Sequence, residues 1–414
     1  ISYFYNGLEV NIMAYKLLSH VYYKSKNDYD ELYKQRILSE STCFLSIKIH
    51  DNDAFYCLCP EIYNLSAQIM AFDKQVALLC EELPGVALTQ FANKCLIDEI
   101  KLSNDIEHVN STRKELSAIL DEIHTSKKNK RFYGLVKKYS MLCEESFSIK
   151  SCSDIRKIYD ELVLAEVVAD SSNNIPDGTI FRKELAEVTN MAQKVIHRGA
   201  YPEKKIIQLM EQALDILNNS EIPILIRISL FHYLFGYIHP FYDGNGRTSR
   251  FISSYLLAQE FEFLIGYRIS YTIKENISKY YKAFQECNDD KNHGDLTPFI
   301  IMFLSIINES FENLYTALKK RSDALAHYRE MINRINNFTD DEKQFCDVIL
   351  QATLFSNKGV TKKRLNEVLE ISASTVDKRL MKLRDSGFLI EHKGERALQY
   401  SLDLVKLQQE LDNH

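Results

Sequence analysis

The fold of the centre of this chain is decided by a run of twelve residues, His239-Pro240-Phe241-Tyr242-Asp243-Gly244-Asn245-Gly246-Arg247-Thr248-Ser249-Arg250. Two glycines in this run stand on either side of an asparagine, so backbone amides can converge there without interference from Cβ atoms. A helix that begins at this point directs the positive end of its dipole at the same place. The residues Gly244, Asn245 and Gly246 therefore predict an anion-binding loop at the start of a helix.

The charged residues of the run supply the other parts of a nucleotide site. Asp243 offers the oxygen ligands that Mg²⁺ prefers, so it is predicted to hold a metal that bridges two phosphates. Arg247 and Arg250 lie three residues apart, which predicts that their guanidiniums point the same way and grip outer phosphate oxygens. His239 ends an apolar helix that Pro240 breaks, and it is predicted to accept a proton near neutral pH. No G-K-[ST] triplet and no preceding strand accompany the glycines, so the run is neither a P-loop nor a dinucleotide fingerprint.

The composition is that of a helical, multidomain globular protein. The 414 residues are 45% hydrophobic and 26% charged, and the scarcity of glycine (13) and proline (7) favours helix over sheet. A net charge of -6 argues against a protein that coats nucleic acid or anionic membrane along its whole length. The nine cysteines show no repeated CxxC pair, which predicts reduced thiols, and no charged-then-apolar leader is seen, so we expect a cytoplasmic protein.

Periodicity predicts a mainly α chain with little sheet. The apolar stretch 222–238 contains Arg227 and His232 and is predicted to be a buried helix, with no membrane as a partner. Strand-like runs at 43–49 and 54–58 make the N-terminal region α/β, and a hairpin is predicted at 188–196. The other predicted helices are 63–80, 90–102, 115–124, 131–142, 153–168, 203–218, 246–257, 273–287, 296–321 and 323–336.

The C-terminal part has the element order of a winged helix-turn-helix, with predicted helices at 340–354, 362–370 and 374–386 and strands at 388–390 and 398–402. The predicted domains are an N-terminal region (1–125), a core (126–337) and a winged-helix domain (338–414). Residues 356–396 contain ten basic and six acidic residues, 10 − 6 = +4, within a chain of net charge -6. This local charge predicts DNA binding through residues 339–414, and a role in protein interaction stays open beside it.

The run from His239 to Arg250 resembles the signature of the Fic family, H-P-F-x-D-G-N-G-R-x-x-R, which it matches at every fixed position. Similarity of sequence extends over residues 181–308, including the stretches 196–199, 273–281 and 294–298. The resemblance implies a helical Fic core with a small β-hairpin flap. It also implies a protein adenylyltransferase, which moves AMP from ATP to a Ser, Thr or Tyr hydroxyl of a target protein and releases pyrophosphate.

Carried over to this sequence, the resemblance implies a role for each residue of the site. His239 would be the general base that deprotonates the attacking hydroxyl, and Asp243 would order Mg²⁺ between the α- and β-phosphates of ATP. The phosphates would be held by Gly244, Asn245, Gly246, Arg247 and Arg250. The flap residues that would pair with the backbone of the target are Val188, Thr189 and Val195, and the residues that resemble adenine-side contacts are Asn276, Tyr280 and Tyr281.

Many Fic proteins carry an inhibitory helix with the pattern [ST]-x-x-x-E-[GN], and residues 103–108 are similar to it. Ser103 and Glu107 occupy the fixed positions, while His108 stands in place of Gly or Asn. By this resemblance Glu107 would pair with Arg250 and remove the guanidinium that should bind the γ-phosphate. In some relatives the same glutamate helps to hydrolyse AMP off the target, which leaves a reverse activity open. The alternative is that residues 103–107 are a surface helix turn with a solvated glutamate.

Two other functions stay open at this point. The core could be a nucleotide sensor in a DNA-binding regulator, although such a sensor has no need of a base at His239. It could also use another nucleotide donor, for phosphoryl or UMP transfer, since donor choice depends on pocket shape rather than on the motif. The target protein is not specified by these residues, and self-modification and a homodimer are left open as partners.

Overall fold

The computed structural model describes residues 15–123, 130–144, 146–189, 195–356, 359–393 and 397–412. The chain forms two compact units, each built from two separate stretches of sequence. The first unit comprises the described residues up to 71 together with 100–310, and the second comprises 72–99 together with the described residues from 311 onward. The predicted domains 1–125, 126–337 and 338–414 are consecutive segments of the chain, unlike these units. The boundaries of the units fall inside long helices, where no loop marks them in the sequence. That division into three stays a prediction.

The first part of the chain combines short helices with a β-hairpin and two long helices: α1 (Leu18–Tyr22), α2 (Lys26–Ile37), β1 (Thr42–Ile49), β2 (Asn52–Cys57), α3 (Pro60–Glu82) and α4 (Gly85–Ile106). The two strands pair antiparallel, with Thr42 opposite Cys57. The predicted strands are confirmed, and the two long helices are separated at Pro84, between the helices predicted at 63–80 and 90–102. The helices α1 and α2 were not among the predicted elements.

Four further helices and a second hairpin follow: α5 (Arg113–Asp121), α6 (Tyr133–Ser140), α7 (Cys152–Tyr159), α8 (Ala165–Asp170), β3 (Glu187–Thr189) and β4 (Val195–Arg198). Between α7 and α8, residues Asp160–Leu164 form a π-helical segment, so the helix predicted at 153–168 does not have a uniform pitch. The predicted hairpin is present as the antiparallel pair of β3 and β4. Its connection, residues 190–194, lies outside the described residues.

The centre of the first unit consists of α9 (Glu203–Asn218), α10 (Ile224–Ile238) and α11 (Asn245–Glu260). Most side chains of α10 are buried, and those of Tyr233, Leu234 and Phe235 are completely inaccessible to solvent. A helix that is apolar on all sides is expected at the core of a large unit. The buried helix predicted over this stretch is therefore confirmed. Within the described ranges, no helix combines the length and the apolar character needed to cross a bilayer.

Two predictions about the following helices are wrong. The helix predicted at 273–287 is two helices, α12 (Ile269–Glu275) and α13 (Ile277–Cys287), because Asn276 leaves the helical conformation and its amide donates to the carbonyl of Thr272. The two helices predicted at 296–321 and 323–336 are one, α14 (Thr297–Arg334). The polar stretch that suggested a break contains no Gly or Pro, and an ion pair of Lys319 with Asp323 at 2.7 Å spans one helical turn of it.

The C-terminal part of the second unit contains α15 (Asp340–Phe355), β5 (Val360–Thr361), α16 (Lys362–Leu369), α17 (Ala373–Asp385), β6 (Leu389–Lys393), β7 (Leu398–Leu402) and α18 (Leu404–Asp412). The three strands form one antiparallel sheet in the order β5-β7-β6. Helix α15 begins with a capping box between Thr339 and Glu342, and Ser372 caps α17. The mainly α fold predicted from the sequence is confirmed, while the interpretation of this segment as a winged helix stays a prediction.

Candidate active site

A cavity of about 150 Å³ in the first unit brings together residues from distant parts of the chain. Glu107 enters it from the end of α4, and His239 from the end of α10. The start of α11 contributes Gly246 and Arg250. The wall is completed by both strands of the β3–β4 hairpin and by the aromatic side chains of α13, including Val188, Ile196, Tyr280, Tyr281 and Phe284.

The loop from His239 to Gly244 is closed by its own side chains. The amide of Asn245 accepts a hydrogen bond from the backbone N–H of Phe241 at 3.0 Å and donates one to the carbonyl of Phe241 at 2.8 Å. Gly244 has a φ of 80°, which a glycine adopts without strain, and α11 begins at the next residue. The side-chain amide of Asn245 is used in these two hydrogen bonds. Only the backbone of Asn245 remains to make the predicted phosphate contact. The predicted helix after the loop is present, and binding of an anion by the loop stays a prediction.

The backbone of His239 is held by a buried arginine that no sequence motif marked. Arg182 donates from Nε to the carbonyl of His239 at 3.0 Å and from Nη2 to the carbonyl of Ala200 at 2.9 Å. Its own N–H donates to the carbonyl of Pro240 at 3.3 Å. The side chain of Arg182 is completely buried, so these carbonyls replace the water that its charge has lost.

The environment of His239 keeps its imidazole neutral. Burial, together with the nearby His197 and Arg182, lowers the pKa of His239 to about 4, while Glu107 opposes this shift. That His239 accepts a proton near neutral pH stays a prediction, and the lowered pKa adds what the sequence does not reveal, the effect of the surroundings on the ring. At pH 7 the ring is free to accept a proton, as a general base must be.

The guanidinium of Arg250 is bound by the end of α4. It donates from Nη1 to Oε1 of Glu107 at 2.8 Å, from Nε to Oγ of Ser103 at 2.9 Å and from Nη2 to the carbonyl of Ser103 at 2.9 Å. Only 1% of the Arg250 side chain is exposed, against 29% of the Glu107 side chain, which faces the cavity. The predicted contact between Glu107 and Arg250 is thus present in the structure.

The carboxylate of Glu107 lies where the loop would receive an anion. A Cβ atom on Gly246 would collide with Oε1 of Glu107, so the carboxylate rests directly against the first turn of α11. Burial alone would raise the pKa of Glu107, but Arg250, with smaller contributions from Arg247 and His239, holds it below its usual value. Ser103 and Asn104 are buried, so the interpretation of this segment as a surface turn is wrong.

The end of α4 explains why Gly or Asn is common after the glutamate in the inhibitory pattern. Val109 N–H donates to the carbonyl of Asn104 at 2.9 Å and His108 N–H to that of Asp105 at 3.4 Å, which are the two hydrogen bonds of a Schellman motif. This motif requires a left-handed residue, and His108 has a φ of 57°. Glu107 is therefore aimed into the cavity by a standard helix ending.

Arg247 does not point the same way as Arg250, contrary to the prediction. Its completely buried guanidinium donates from Nη1 to Oε2 of Glu166 at 2.8 Å, and it does not line the cavity. Glu166, on α8, is another residue that no sequence motif marked. Burial raises the pKa of Glu166 to about 7, although Arg247 and Arg131 lower it.

The donor set around Asp243 fits a metal that shares its ligands with a bound phosphate. The Asp243 side chain is 39% exposed, so one carboxylate is accessible at the loop. In the part of the chain that the structure describes, no group of three or more metal-ligating side chains is found. Mg²⁺ is commonly held by one or two carboxylates together with substrate phosphates and water. Asp243 is suited to that mode of binding.

Three of the six remaining predicted residues line the cavity. Val188, Tyr280 and Tyr281 line it, and the Tyr280 hydroxyl is hydrogen-bonded to His232 at 2.7 Å. Thr189 pairs in register with Val195, beside the undescribed connection of the hairpin. Asn276 is not among the residues that line the cavity, and its amide donates to Glu309 at 2.9 Å and to the Thr272 carbonyl. Its adenine-side contact stays a prediction.

A histidine from the N-terminal hairpin also supports the cavity wall. His50, at the turn between β1 and β2, donates its N–H to the Tyr237 hydroxyl at 2.8 Å, and its Nε2 lies 3.0 Å from the carbonyl of Asn288. Asn288 lines the cavity beside His197. No local pattern around His50 distinguishes it from other turn residues, so only the tertiary structure identifies this contact.

The basic residues of the C-terminal segment are largely paired within their own unit. Six of the ten form ion pairs with acidic neighbours: Lys362, Lys363, Arg364, Arg379, Lys382 and Arg384. Two of these pairs join α17 to the start of α15, at Asp341 and Glu342. A DNA-binding surface would have to compete for these side chains, so the ion pairs weaken the electrostatic basis of the DNA prediction for 339–414.

Comparison with known proteins finds a family model that includes the residues from His239 to Arg250. Residues 151–257 match the model of the Fic/DOC family. The "Protein adenylyltransferase Fic" of Drosophila virilis is 34% identical over 110 residues, which cover 27% of this chain and 21% of that protein. The protein of the same name from Drosophila erecta is 36% identical over 110 residues, 26% of this chain and 20% of that protein. The match therefore spans about a fifth of the length of these curated relatives.

The fold is similar to that of a solved Fic protein over most of the chain. The crystal structure of a Fic family protein from Desulfovibrio desulfuricans G20 covers 84% of this chain and 97% of its own, with a TM-score of 0.50 and 20% sequence identity. At this identity the likeness concerns the fold. The predicted Fic resemblance is confirmed over residues 151–257, which match the Fic/DOC family model.

The burial of His239 predicts an unusual titration. A free histidine titrates near pH 6.5, whereas His239 should stay neutral until the pH falls towards 4. NMR of protein with ¹³C-labelled histidine, with His239→Ala for assignment, measures this directly. A ring that gains its proton between pH 7 and 6 would contradict the prediction.

The left-handed conformation of His108 predicts that His108→Gly stabilises the protein. Because glycine adopts this conformation without strain, we expect the free energy of unfolding in urea to rise by roughly 1 kcal/mol. The matched control is Asn93→Gly, at an exposed right-handed position of the same helix, which should lower it by roughly 0.5 kcal/mol. Equal effects of the two substitutions would refute the conformational argument.

The internal ion pairs of the C-terminal segment predict weak, salt-sensitive DNA binding. In a mobility-shift assay with the full chain and duplex DNA, we expect binding only at low salt, with loss by about 0.2 M. Lys378→Ala, which removes an exposed basic residue of α17, should weaken any complex further. Binding that persists at this higher salt concentration would show that the ion pairs open and that a DNA surface is formed.

Proposed function

We propose that this protein is a Fic-type transferase that moves AMP from ATP to a hydroxyl side chain of a target protein and that is restrained by Glu107. The observation that carries the proposal is the convergence of His239, Gly246 and Arg250 on one cavity. A proton acceptor, an anion-binding helix start and a guanidinium are the groups that nucleotidyl transfer requires. The adenylyltransferase names of the Drosophila relatives support the choice of AMP as the transferred group.

The proposed reaction follows from the positions of these groups. The target hydroxyl loses its proton to the His239 imidazole as its oxygen attacks the α-phosphorus of ATP. A new P–O bond forms to the target, the bond from the α-phosphorus to the bridging oxygen breaks, and pyrophosphate leaves. The loop amides and the positive end of α11 stabilise the charge that develops on the phosphate oxygens. Mg²⁺ held by Asp243 would neutralise charge on the leaving pyrophosphate.

The low pKa of His239 is compatible with this role. The ring is neutral over the physiological range, so it is always ready to accept a proton. A bound triphosphate brings negative charge close to the ring, which stabilises the imidazolium and raises the pKa of His239. The basicity of His239 therefore increases when the substrate is in place.

Glu107 would restrain the enzyme by occupying the site of the outer phosphates. It takes one edge of the Arg250 guanidinium at 2.8 Å and lies against Gly246. Arg250 has few donors left for a phosphate while Ser103 and Glu107 hold it. Because the Glu107 side chain is partly exposed, it can leave without opening the core.

A reverse activity is the second candidate, and the position of Glu107 favours it. A charged carboxylate that faces the same cavity as His239 could activate water to hydrolyse the bond between AMP and a modified side chain. Wild-type protein would then remove AMP from a target that Glu107→Gly has modified, and His239→Ala would not.

The restraint predicts that Glu107→Gly strongly raises labelling of protein from [α-³²P]ATP and Mg²⁺. A hydrogen bond to a charged group contributes about 1.5–3 kcal/mol, so its loss should increase labelling roughly 10- to 100-fold. Glu107→Gln, which keeps the bulk but not the charge, should have an intermediate effect. Excess unlabelled UTP or GTP in the same assay tests the choice of donor.

The controls for this experiment use other residues of the same region. Adding His239→Ala to Glu107→Gly should abolish labelling, while Glu115→Gln, at a partly exposed position of α5 beyond the inhibitory segment, should leave wild-type labelling unchanged. Unchanged labelling in Glu107→Gly would rule out the restraint, and labelling that survives without His239 would rule out the proposed base.

A further inference from the structure

Both arginines of the signature are paired with carboxylates, but the two pairs differ in kind. Glu107 faces the cavity and keeps 29% of its side chain exposed, whereas Glu166 keeps 4% and lies outside the cavity lining. A carboxylate that is partly solvated can separate from its partner. A carboxylate buried against a buried guanidinium cannot, because separation would leave two buried charges without partners. The contact of Glu166 with Arg247 is therefore permanent on the scale of the reaction.

The Glu166 contact uses only part of the Arg247 guanidinium. Nη1 donates to Glu166 at 2.8 Å, but among the described residues Nε and Nη2 have no hydrogen-bond partner, although the side chain is completely buried. Nη2 lies 4.0 Å from Oδ1 of Asp243, whose side chain is 39% exposed at the loop. Nη2 of Arg247 is thus held beside the carboxylate that would hold a metal and a phosphate, and Nε is a second donor of the same guanidinium.

The π-helical segment Asp160–Leu164 makes this contact possible. It follows α7 directly and adds extra residues to the turn, which rotates the side chains of α8 relative to a continuous α-helix. The same segment packs on the loop, because a Cβ atom on Gly244 would lie 2.9 Å from Val163 and 3.1 Å from Tyr159. One irregular helix therefore both supports the anion-binding loop and delivers Glu166 to Arg247.

We propose that Glu166 is a positioning residue for ATP binding: it holds the Arg247 guanidinium through Nη1 so that Nε and Nη2 stay directed towards the phosphates that bind beside Asp243. This inference rests on the proposed function. It assigns opposite roles to the two carboxylates, since removal of Glu107 should help ATP binding and loss of the Glu166 charge should weaken it.

The test measures binding of ATP with Mg²⁺, and separately of AMP, to the full chain by calorimetry. All variants carry Glu107→Gly, so that Nη1 of Arg250 is released from Glu107. Glu166→Gln is the principal variant because it keeps an oxygen that can accept from Nη1, and Glu166→Ala accompanies it. Glu161→Gln is the matched control: Glu161 lies on the same π-helical segment, but its side chain is 42% exposed and pairs with Lys138.

We expect Glu166→Gln to weaken ATP binding about tenfold and Glu166→Ala more, with AMP binding and the control unchanged, since AMP lacks the outer phosphates. In labelling assays the same change should appear as a raised KM for ATP with a smaller effect on kcat. In a double-mutant cycle, Glu166→Gln should have no further effect on ATP binding once Arg247→Ala is present. Thermal unfolding of each variant checks that it is folded.

Three results would overturn the inference. If Glu166→Gln binds ATP as tightly as Glu161→Gln does, Glu166 has no positioning role. If ATP and AMP binding weaken equally, or if the effects of Glu166→Gln and Arg247→Ala add, the contact is only structural. If Glu107→Gly alone neither binds ATP nor labels protein, the proposed function fails, and this inference fails with it.

Discussion

The charge on Arg250 is the constraint around which the first unit is organised. The guanidinium is almost completely buried, and a buried charge without partners is strongly destabilising. Ser103 and Glu107 satisfy it from a helix end, and Ser103 lies 147 residues earlier in the chain. The end of α4 must therefore lie over the start of α11, and the cavity forms between them. A ligand with phosphate groups would enter a cavity in which Ser103 and Glu107 already compensate the charge of Arg250.

The site is built from small departures from regular helix. His239, Gly244 and His108 all have left-handed backbone conformations, and each stands at the start or end of a helix that borders the cavity. Such residues turn the chain sharply, so the His239 imidazole, the loop amides and the Glu107 carboxylate all come from helix ends. The π-helical segment before α8 does the same for Glu166. Rigid helices hold these ends in place, which suits a reaction that depends on positioning.

Whether a feature of the site could be predicted depended on how far apart the interacting residues lie in the sequence. The loop of Gly244 to Gly246, the start of α11 and the buried α10 follow from neighbouring residues, and the pairing of Glu107 with Arg250 was implied by the family resemblance. The direction of the Arg247 side chain was predicted wrongly. Helical spacing predicts the face of the helix on which a residue lies, but not the partner with which its side chain forms a contact. Helical spacing likewise did not reveal that the amide of Asn276 donates to Glu309.

The sequence by itself determined the mainly α fold and the chemistry of the loop between His239 and Arg250, because these depend on apolar periodicity, glycine conformation and the types of residue present within a few positions. The tertiary structure alone decided that Glu166 meets Arg247, that His239 is partly buried beside Arg182, and that Arg182 and His50 support the site. The physical reason is that burial and ion pairing are properties of segments brought together by packing. Glu166 shows this most clearly: no pattern around it marks it, yet it is the partner that Arg247 finds in the folded chain.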